Sequence, residues 1–339
     1  MDKNMPVTFP ENVPKYISVA DAILAAIRDG EFGKGEQLPS INELSEAYLL
    51  SRDTVEKAYK ELRRQGIIEP VKGKGYFISR VDVDAPLRIL LVLNKISNYK
   101  KQIYNAFVQT LGFSATVDLQ IHHSNVELFH NLIAANSGKY DYYVIMPHFY
   151  EKQQEVIDIM NKIPAEKLIL LDKDLPDYTD KFAAVYQDFE NDIYNALDEA
   201  LPRLKHYKRL IYINPNLTPY PDEIRKGFWR FCRMHDFAFS ILDGIEADTK
   251  IHAGDAFIVI EENDLTTLVK ICRTKELEVG KDIGIISYNE TPLKEILLDG
   301  ITVISTDHEK MGETVAKIIM EKKSEEIKNP FSLITRKSL

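Results

Sequence analysis

Seven basic residues, Arg52, Lys57, Lys60, Arg63, Arg64, Lys72 and Lys74, share a short stretch with four acidic ones, Asp53, Glu56, Glu61 and Glu69. Lys and Arg gathered in this way neutralise phosphates, and an Arg can also donate two parallel hydrogen bonds to guanine O6 and N7. The patch is modest, and its meaning depends on where charge lies in the rest of the chain. The net charge is −9, yet residues 1–80 hold 12 basic and 12 acidic residues, so the whole negative balance follows position 80.

Residues for covalent or metal chemistry lack their required spacing. Gly112-Phe113-Ser114-Ala115 misses the closing glycine of a nucleophile elbow. Gly30 and Gly35 have phosphate-loop spacing, but Glu36-Gln37 replaces Lys-Ser/Thr, and Gly73-x-Gly75 lacks the third glycine of a dinucleotide loop. His122, His123 and His130 have no carboxylate or Cys at ligand spacing, and Cys232 and Cys272 fit neither a zinc site nor a disulfide framework. We therefore expect no catalytic residue, no metal and no cofactor. The apolar run at 89–93 is closed off by Arg88 and Asn94, too short for a membrane span. The start MDKNMPVTFP has no basic-then-apolar leader pattern, so a cytoplasmic location is expected.

A length of 339 residues predicts two domains. In the first, Val19, Ile23, Ala26 and Ile27 recur at helical spacing from Ser18 as N-cap to Gly30 as stop. Ser40-Ile41-Asn42-Glu43 has capping-box form and starts a second, short helix. Ser51 caps a third, with Val55, Ala58, Tyr59 and Leu62 on one face and Gly66 at its end. Two strands, 67–71 and 76–79, flank the turn Lys72-Gly73-Lys74-Gly75. A helix-turn-helix followed by a basic hairpin is a winged helix-turn-helix.

The run Gly30, Gly35, Leu38-Pro39-Ser40, Glu43-Leu44, Ser51-Arg52, Thr54-Val55, Ala58, Leu62, Gly66 and Gly73-x-Gly75-x-Phe77 resembles the GntR-family DNA-binding domain. The resemblance implies that the helix starting at Ser51 enters the major groove, with Arg52 the first candidate for base contact. Alternatively Arg52 only pairs with Glu56, four residues on. Ser40, Ser51 and Thr54 are candidates for phosphate contact, although capping alone accounts for the serines equally well. Asp53 and Lys57 lie on the same helix start, and Lys72, Gly73 and Lys74 would carry the wing to phosphate or minor groove unless they form an ordinary solvated turn. Many relatives carry Arg where this chain has Asn42 and Glu56. Asn pairs with adenine and Glu accepts from cytosine N4, so a different base preference is expected.

Val81 to Pro86 breaks periodicity, and we read residues 81–87 as a linker between a domain at 1–80 and one at 88–339. Apolar runs at 89–93, 117–121, 142–146, 168–171, 183–186, 210–213, 256–260 and 283–286 alternate with helical patterns, which predicts parallel sheets covered on both faces. Ligands of such sheets sit beyond the strands' carboxyl ends, and there the chain is polar and aromatic: 94–99, 147–149, 172–174, 187–188, 214–220, 261–264 and 288–290. From these ends come the candidates Tyr99, His148, Phe149, Asp172, Lys173, Tyr186, Asp188 and Tyr220. The tyrosines can equally be core edge, His148 a satisfied loop residue, and Asp188 a helix cap.

The order of pieces is similar to the LacI-type sensor domain, related to periplasmic sugar-binding proteins. It rests on 208–211, Arg225-Lys226-Gly227-Phe228, 282–289, 300–304, Met311-Gly312 and Arg336-Lys337-Ser338. This resemblance implies a two-lobed α/β domain, with a first lobe of about 88–189 plus 306–322 and a second of about 190–305 plus 323–339. It also implies effector contacts at Arg225, Asn263, Asp264 and Asn289. Arg225 can instead stack on Trp229, and Asp264 can cap a helix. Asn289-Glu290 stands where many relatives have paired aspartates.

Together these expectations describe a homodimeric regulator that reads palindromic double-stranded operator DNA under control of a small polar effector. Similarity to arabinose-sensing repressors of this architecture implies a free sugar, a pentose or deoxyhexose such as arabinose or fucose. The alternatives are a phosphosugar or nucleoside effector, or a sugar-processing enzyme with an appended DNA-binding domain.

Overall fold

The computed structural model describes residues 7, 9, 14–82, 85–175, 178–215 and 220–339. Val83 and Asp84 of the expected linker, and 216–219 of one strand-end run, lie outside these. The chain divides into two compact units: Met1–Arg88 with Leu111–Thr116, and Ile89–Thr110 with Val117–Leu339.

In the first unit, α1 (Lys15–Arg28), α2 (Ile41–Ala47) and α3 (Arg52–Arg64) precede an antiparallel hairpin of β1 (Ile68–Val71) and β2 (Gly75–Ile78). Helix α1 starts a turn earlier than expected, at Pro14, because Ile17 extends its buried stripe; Ser18 is buried inside the helix and caps nothing. Ser40 forms both halves of the capping box with Glu43, and Ser51 accepts from the Thr54 amide. Ile23, Val55, Ala58, Tyr59 and Leu62 are fully buried where α1 meets α3. Tyr59 also donates to the Pro39 carbonyl at 2.5 Å, fixing the segment before α2 against α3. The hairpin turn needs left-handed backbone at Gly73 (φ 75°) and Gly75 (φ 104°), which explains both glycines.

In the second unit the chain runs β3 (Leu87–Leu93), α4 (Asn98–Leu111), β4 (Ala115–Ile121), α5 (Val126–Asn136), β5 (Tyr142–Ile145), α6 (Gln153–Met160), β6 (Leu168–Asp172) and β7 (Ala183–Tyr186). It continues through α7 (Phe189–Leu204), β8 (Arg209–Asn214), α8 (Asp222–Met234), β9 (Ala238–Asp243), β10 (Asp255–Val259), α9 (Glu262–Thr274) and β11 (Gly284–Tyr288). It closes with α10 (Pro292–Ile296), β12 (Thr302–Thr306), α11 (His308–Glu321), β13 (Glu326–Lys328) and β14 (Phe331–Ile334). One sheet has the order β13-β7-β6-β5-β3-β4, the other β14-β12-β11-β10-β8-β9. Strands β5, β6, β10, β11 and β12 are buried along their whole length, so helices cover both faces.

The chain passes between the lobes after β7, after β12 and after β13. The expected boundary at 323 put Glu326–Lys328 in the second lobe, but this strand pairs parallel with β7 in the first. Three residues reading Glu-Ile-Lys are too few to show an alternation. Strand β14 runs antiparallel to β12, so the second sheet is mixed rather than wholly parallel. Buried Asn329 ties the three passages together: its amide N–H donates to the Tyr186 carbonyl, and its side chain to Thr306 Oγ1 and the Asp307 carbonyl.

Candidate nucleic-acid interface and ligand cleft

At the start of α3, Arg52, Asp53 and Lys57 are exposed. Glu56 pairs with Lys60 at 2.8 Å, which leaves Arg52 without an ion pair among the described residues. Ser51 and Thr54 hydroxyls bond to each other at 2.8 Å, and Ser40 is held by Glu43, so capping accounts for the local geometry of all three. Asn42 stands exposed on α2, and Lys72, Gly73 and Lys74 form the exposed wing tip. Gln37, which the sequence showed only as a departure from a phosphate loop, donates to the Lys74 carbonyl at 2.5 Å and bridges to Phe77, anchoring the wing.

Between the lobes of the second unit lie a tight cavity of about 30 Å³ and a larger one of about 400 Å³ that share Lys95, Tyr99, Tyr220, Tyr288 and Asn289 as walls. The smaller is floored by Asp172, which ends β6 at a left-handed φ of 71°. One Asp172 oxygen accepts from His148 Nε2 at 2.8 Å and the other from Gln187 Nε2 at 2.5 Å. Burial pushes the Asp172 carboxyl up, but His148, Lys100 and Gln187 outweigh it and hold the group well below the usual carboxylate range. Burial is the main cause that lowers Lys100 and Lys294 to about 8, and His122 and His308 to about 4, with neighbouring cationic groups adding to it at Lys100, His122 and His308. The Lys294 ammonium donates to the Tyr288 and Asn289 carbonyls, both at 2.7 Å, and fixes the turn that presents Asn289, itself left-handed at φ 63°.

The candidates divide by position. Tyr99, His148, Asp172, Tyr220 and Asn289 line the tight cavity, and Asn263 lines the larger one. Phe149 turns into the first lobe's core, stacked 4.3 Å from His122, and Tyr186 packs on the same core. Asp188 caps α7, and Asp264 accepts from the Ile245 amide. Lys173 pairs across the lobes with Glu223 at 3.2 Å. Arg225 points away on α8, paired with Asp222 at 2.6 Å, and Arg233, not Arg225, lies over Trp229. One residue earlier, about 100° around the helix, Ile224 takes the cavity wall. Glu290 is held by Arg336 at 2.5 Å.

Lys100, Ile224 and His308 line the tight cavity but did not emerge from the sequence. Each lies in the first turn of the helix that follows a strand, beyond the loop residues that the strand ends mark. Among the described residues no group of His, Cys, Asp and Glu could hold a metal, and no helix is long and apolar enough to cross a membrane.

Comparison with known proteins matches the two ends of the chain to different families. Residues 15–78 match the family of bacterial regulatory proteins, gntR family, and residues 203–339 match a periplasmic binding protein-like domain. The chain is 42% identical over 77 residues to the uncharacterized HTH-type transcriptional regulator SCO4628 of Streptomyces coelicolor, covering 23% of this chain and 28% of that protein. It is 34% identical over 92 residues to the HTH-type transcriptional repressor YtrA of Bacillus subtilis, covering 27% of this chain and 67% of that one. It is 34% identical over 70 residues to the arabinose metabolism transcriptional repressor of Geobacillus stearothermophilus, covering 21% and 19%. Its fold is similar to a crystal structure of an uncharacterized protein from Actinobacillus succinogenes, at TM-score 0.62 and 16% identity over 74% of this chain and 98% of that one. It is also similar to the lac repressor dimer bound to operator and the anti-inducer ONPF, at TM-score 0.60 and 16% identity over 75% and 94%.

Proposed function

Because the chain belongs to the gntR family of bacterial regulatory proteins, we propose that it binds operator DNA through α3 and the wing, under the control of a small hydroxylated effector held between the lobes. The observation that carries this reading is Arg52, exposed at the start of α3 and free of the Glu56 pair that would have made it a surface ornament. Ser51, Thr54 and Asn42 flank it, and Lys72 and Lys74 would reach the backbone beside the groove. Two copies related by a two-fold axis would read inverted half-sites, and effector and operator affinities would be coupled reciprocally.

For the effector we infer a monosaccharide or a derivative of one. Asp172, Gln187 and Asn289 offer the planar acceptors that ligand hydroxyls need, and Tyr99 and Tyr220 offer ring faces. The arabinose repressor's similarity spans 70 residues and so bears on the DNA-binding part. A pentose or deoxyhexose therefore rests on the resemblance of architecture alone. Selection from a random DNA library should enrich an inverted repeat. Arg52→Ala should weaken that repeat by about 1–3 kcal/mol per half-site, measured by fluorescence anisotropy, and leave nonspecific binding intact. An unchanged sequence preference in Arg52→Ala would move base reading elsewhere.

A further inference from the structure

Two cations on the cleft walls, Lys95 and Lys100, form no ion pair among the described residues, although Asp172 acts on both at longer range and Glu261 on Lys95. Lys100 is 3% exposed, and its ammonium has only neutral partners, Asn94 Oδ1 and, at 3.3 Å, Met146 Sδ. Lys95, half-buried, lies 4.5 Å over the Tyr220 ring. The carboxylate that shares their cavity, Asp172, is held on one oxygen by His148 and on the other by Gln187. The larger cavity is lined by Glu261 and Glu262 together with Lys294. Buried cations with neutral partners are costly unless a negative group completes them. The 14-residue helix α4 begins on this wall, and its positive end adds to the same field.

An independent observation points to a ligand in this space. Gln187 Oε1, the Tyr288 hydroxyl and Asn289 Oδ1 are buried in the cavity walls without a hydrogen-bond partner among the described residues, and each residue is more than nine-tenths buried. Such groups read hydroxyls. The larger cavity, about 400 Å³, falls within the range of small-molecule pockets, roughly 300–1,000 Å³.

Building on the cleft as an effector site, we propose that the effector is a hydroxylated anion whose negative group sits against Lys95 and Lys100, and whose hydroxyls meet Gln187, Tyr288 and Asn289. A carboxylate and a phosphate share this chemistry.

The test is calorimetric titration and thermal shift of the full chain with matched pairs: galacturonate and galactose, gluconate and glucose, glucose 6-phosphate and glucose, with arabinose and fucose as further neutral sugars. We expect an acidic member to bind at least tenfold tighter than its neutral partner, the carboxylate and phosphate arms telling which anion is read. Lys100→Met should weaken it at least a hundredfold and Lys95→Met about tenfold; the half-buried Lys95 keeps the test open should Lys100→Met fail to fold. A neutral sugar that binds as tightly as its acid, or acid binding unchanged in both variants, overturns the proposal while leaving the cleft an effector site. No binding by any member overturns both.

Discussion

The two units place their candidate functional groups in opposite ways. In the first they are exposed and close in sequence, from Ser40 to Lys74, carried by a capped helix and a turn. In the second they are buried and arrive from the ends of strands spread between Asn94 and His308. A surface that meets a polyanion needs only local geometry and solvated charge. A cleft that meets a small molecule needs groups desolvated and held, so its side chains bond one another before any ligand arrives. That contrast also governs how each unit should respond to damage.

The largest effects should come from the cores. Leu62→Ala empties a fully buried site in the first unit and should cost about 2–5 kcal/mol, removing DNA binding through loss of the fold; Phe228→Ala should cost about 3–5 kcal/mol in the second. Denaturant titrations of both variants, read beside DNA binding and ligand-induced stabilisation, would show whether each lesion damages the function of its own unit.

Acid should separate the units more sharply. His122 and His308, both in the second unit, have folded pKa values near 4, below the unfolded value near 6.5. Between those values the unfolded chain binds protons that the native one refuses, so stability falls with pH, by about 2 kcal/mol for each histidine at pH 5. The first unit's Asp21 is shifted the other way, up to about 6 by burial. Its native state takes up a proton before the unfolded chain does, so the Asp21 contribution grows as pH falls from 6 toward 4.5. Melting curves from pH 7 to pH 5 should show the second unit weakening and the first holding; a parallel decline would break the contrast. The smallest effect should be Ser40→Ala, about 1 kcal/mol of first-unit stability from the lost cap.

Legibility follows the same division. The helix starts at Ser40 and Ser51, the wing glycines and the apolar faces are local signals, and the sequence carries them openly. The one error there, a helix begun at Ser18, came from a serine that was buried and not capping. In the second unit most buried strands were readable as apolar runs, but β12, buried throughout yet carrying Thr302, Ser305 and Thr306, was not among them, nor were β9, β13 and β14, and the run at 117–121 forms the largely exposed β4. The cleft was half legible. Strand ends pointed to Tyr99, His148 and Asp172, and the LacI-type resemblance to Asn289, but whether a side chain one residue along turns inward is decided by helix phase and tertiary packing. Hence Arg225 faces solvent and Ile224 the cavity. Phe149, adjacent to His148, went to the core because an aromatic ring finds more contact against His122 and Phe129 than in a polar cleft.

The strands β13 and β14, each an edge of a different sheet, both come after α11. A ribosome making this chain finishes the helices and wing of the first unit by Ile78, but neither sheet of the second gains its last strand until the closing segment emerges. Until then β7 and β12 present unpaired backbone, the kind of edge on which chains add to one another. Synthesis that stops after α11 should therefore yield a competent DNA-reading end on an aggregating body, with no ligand able to rescue it.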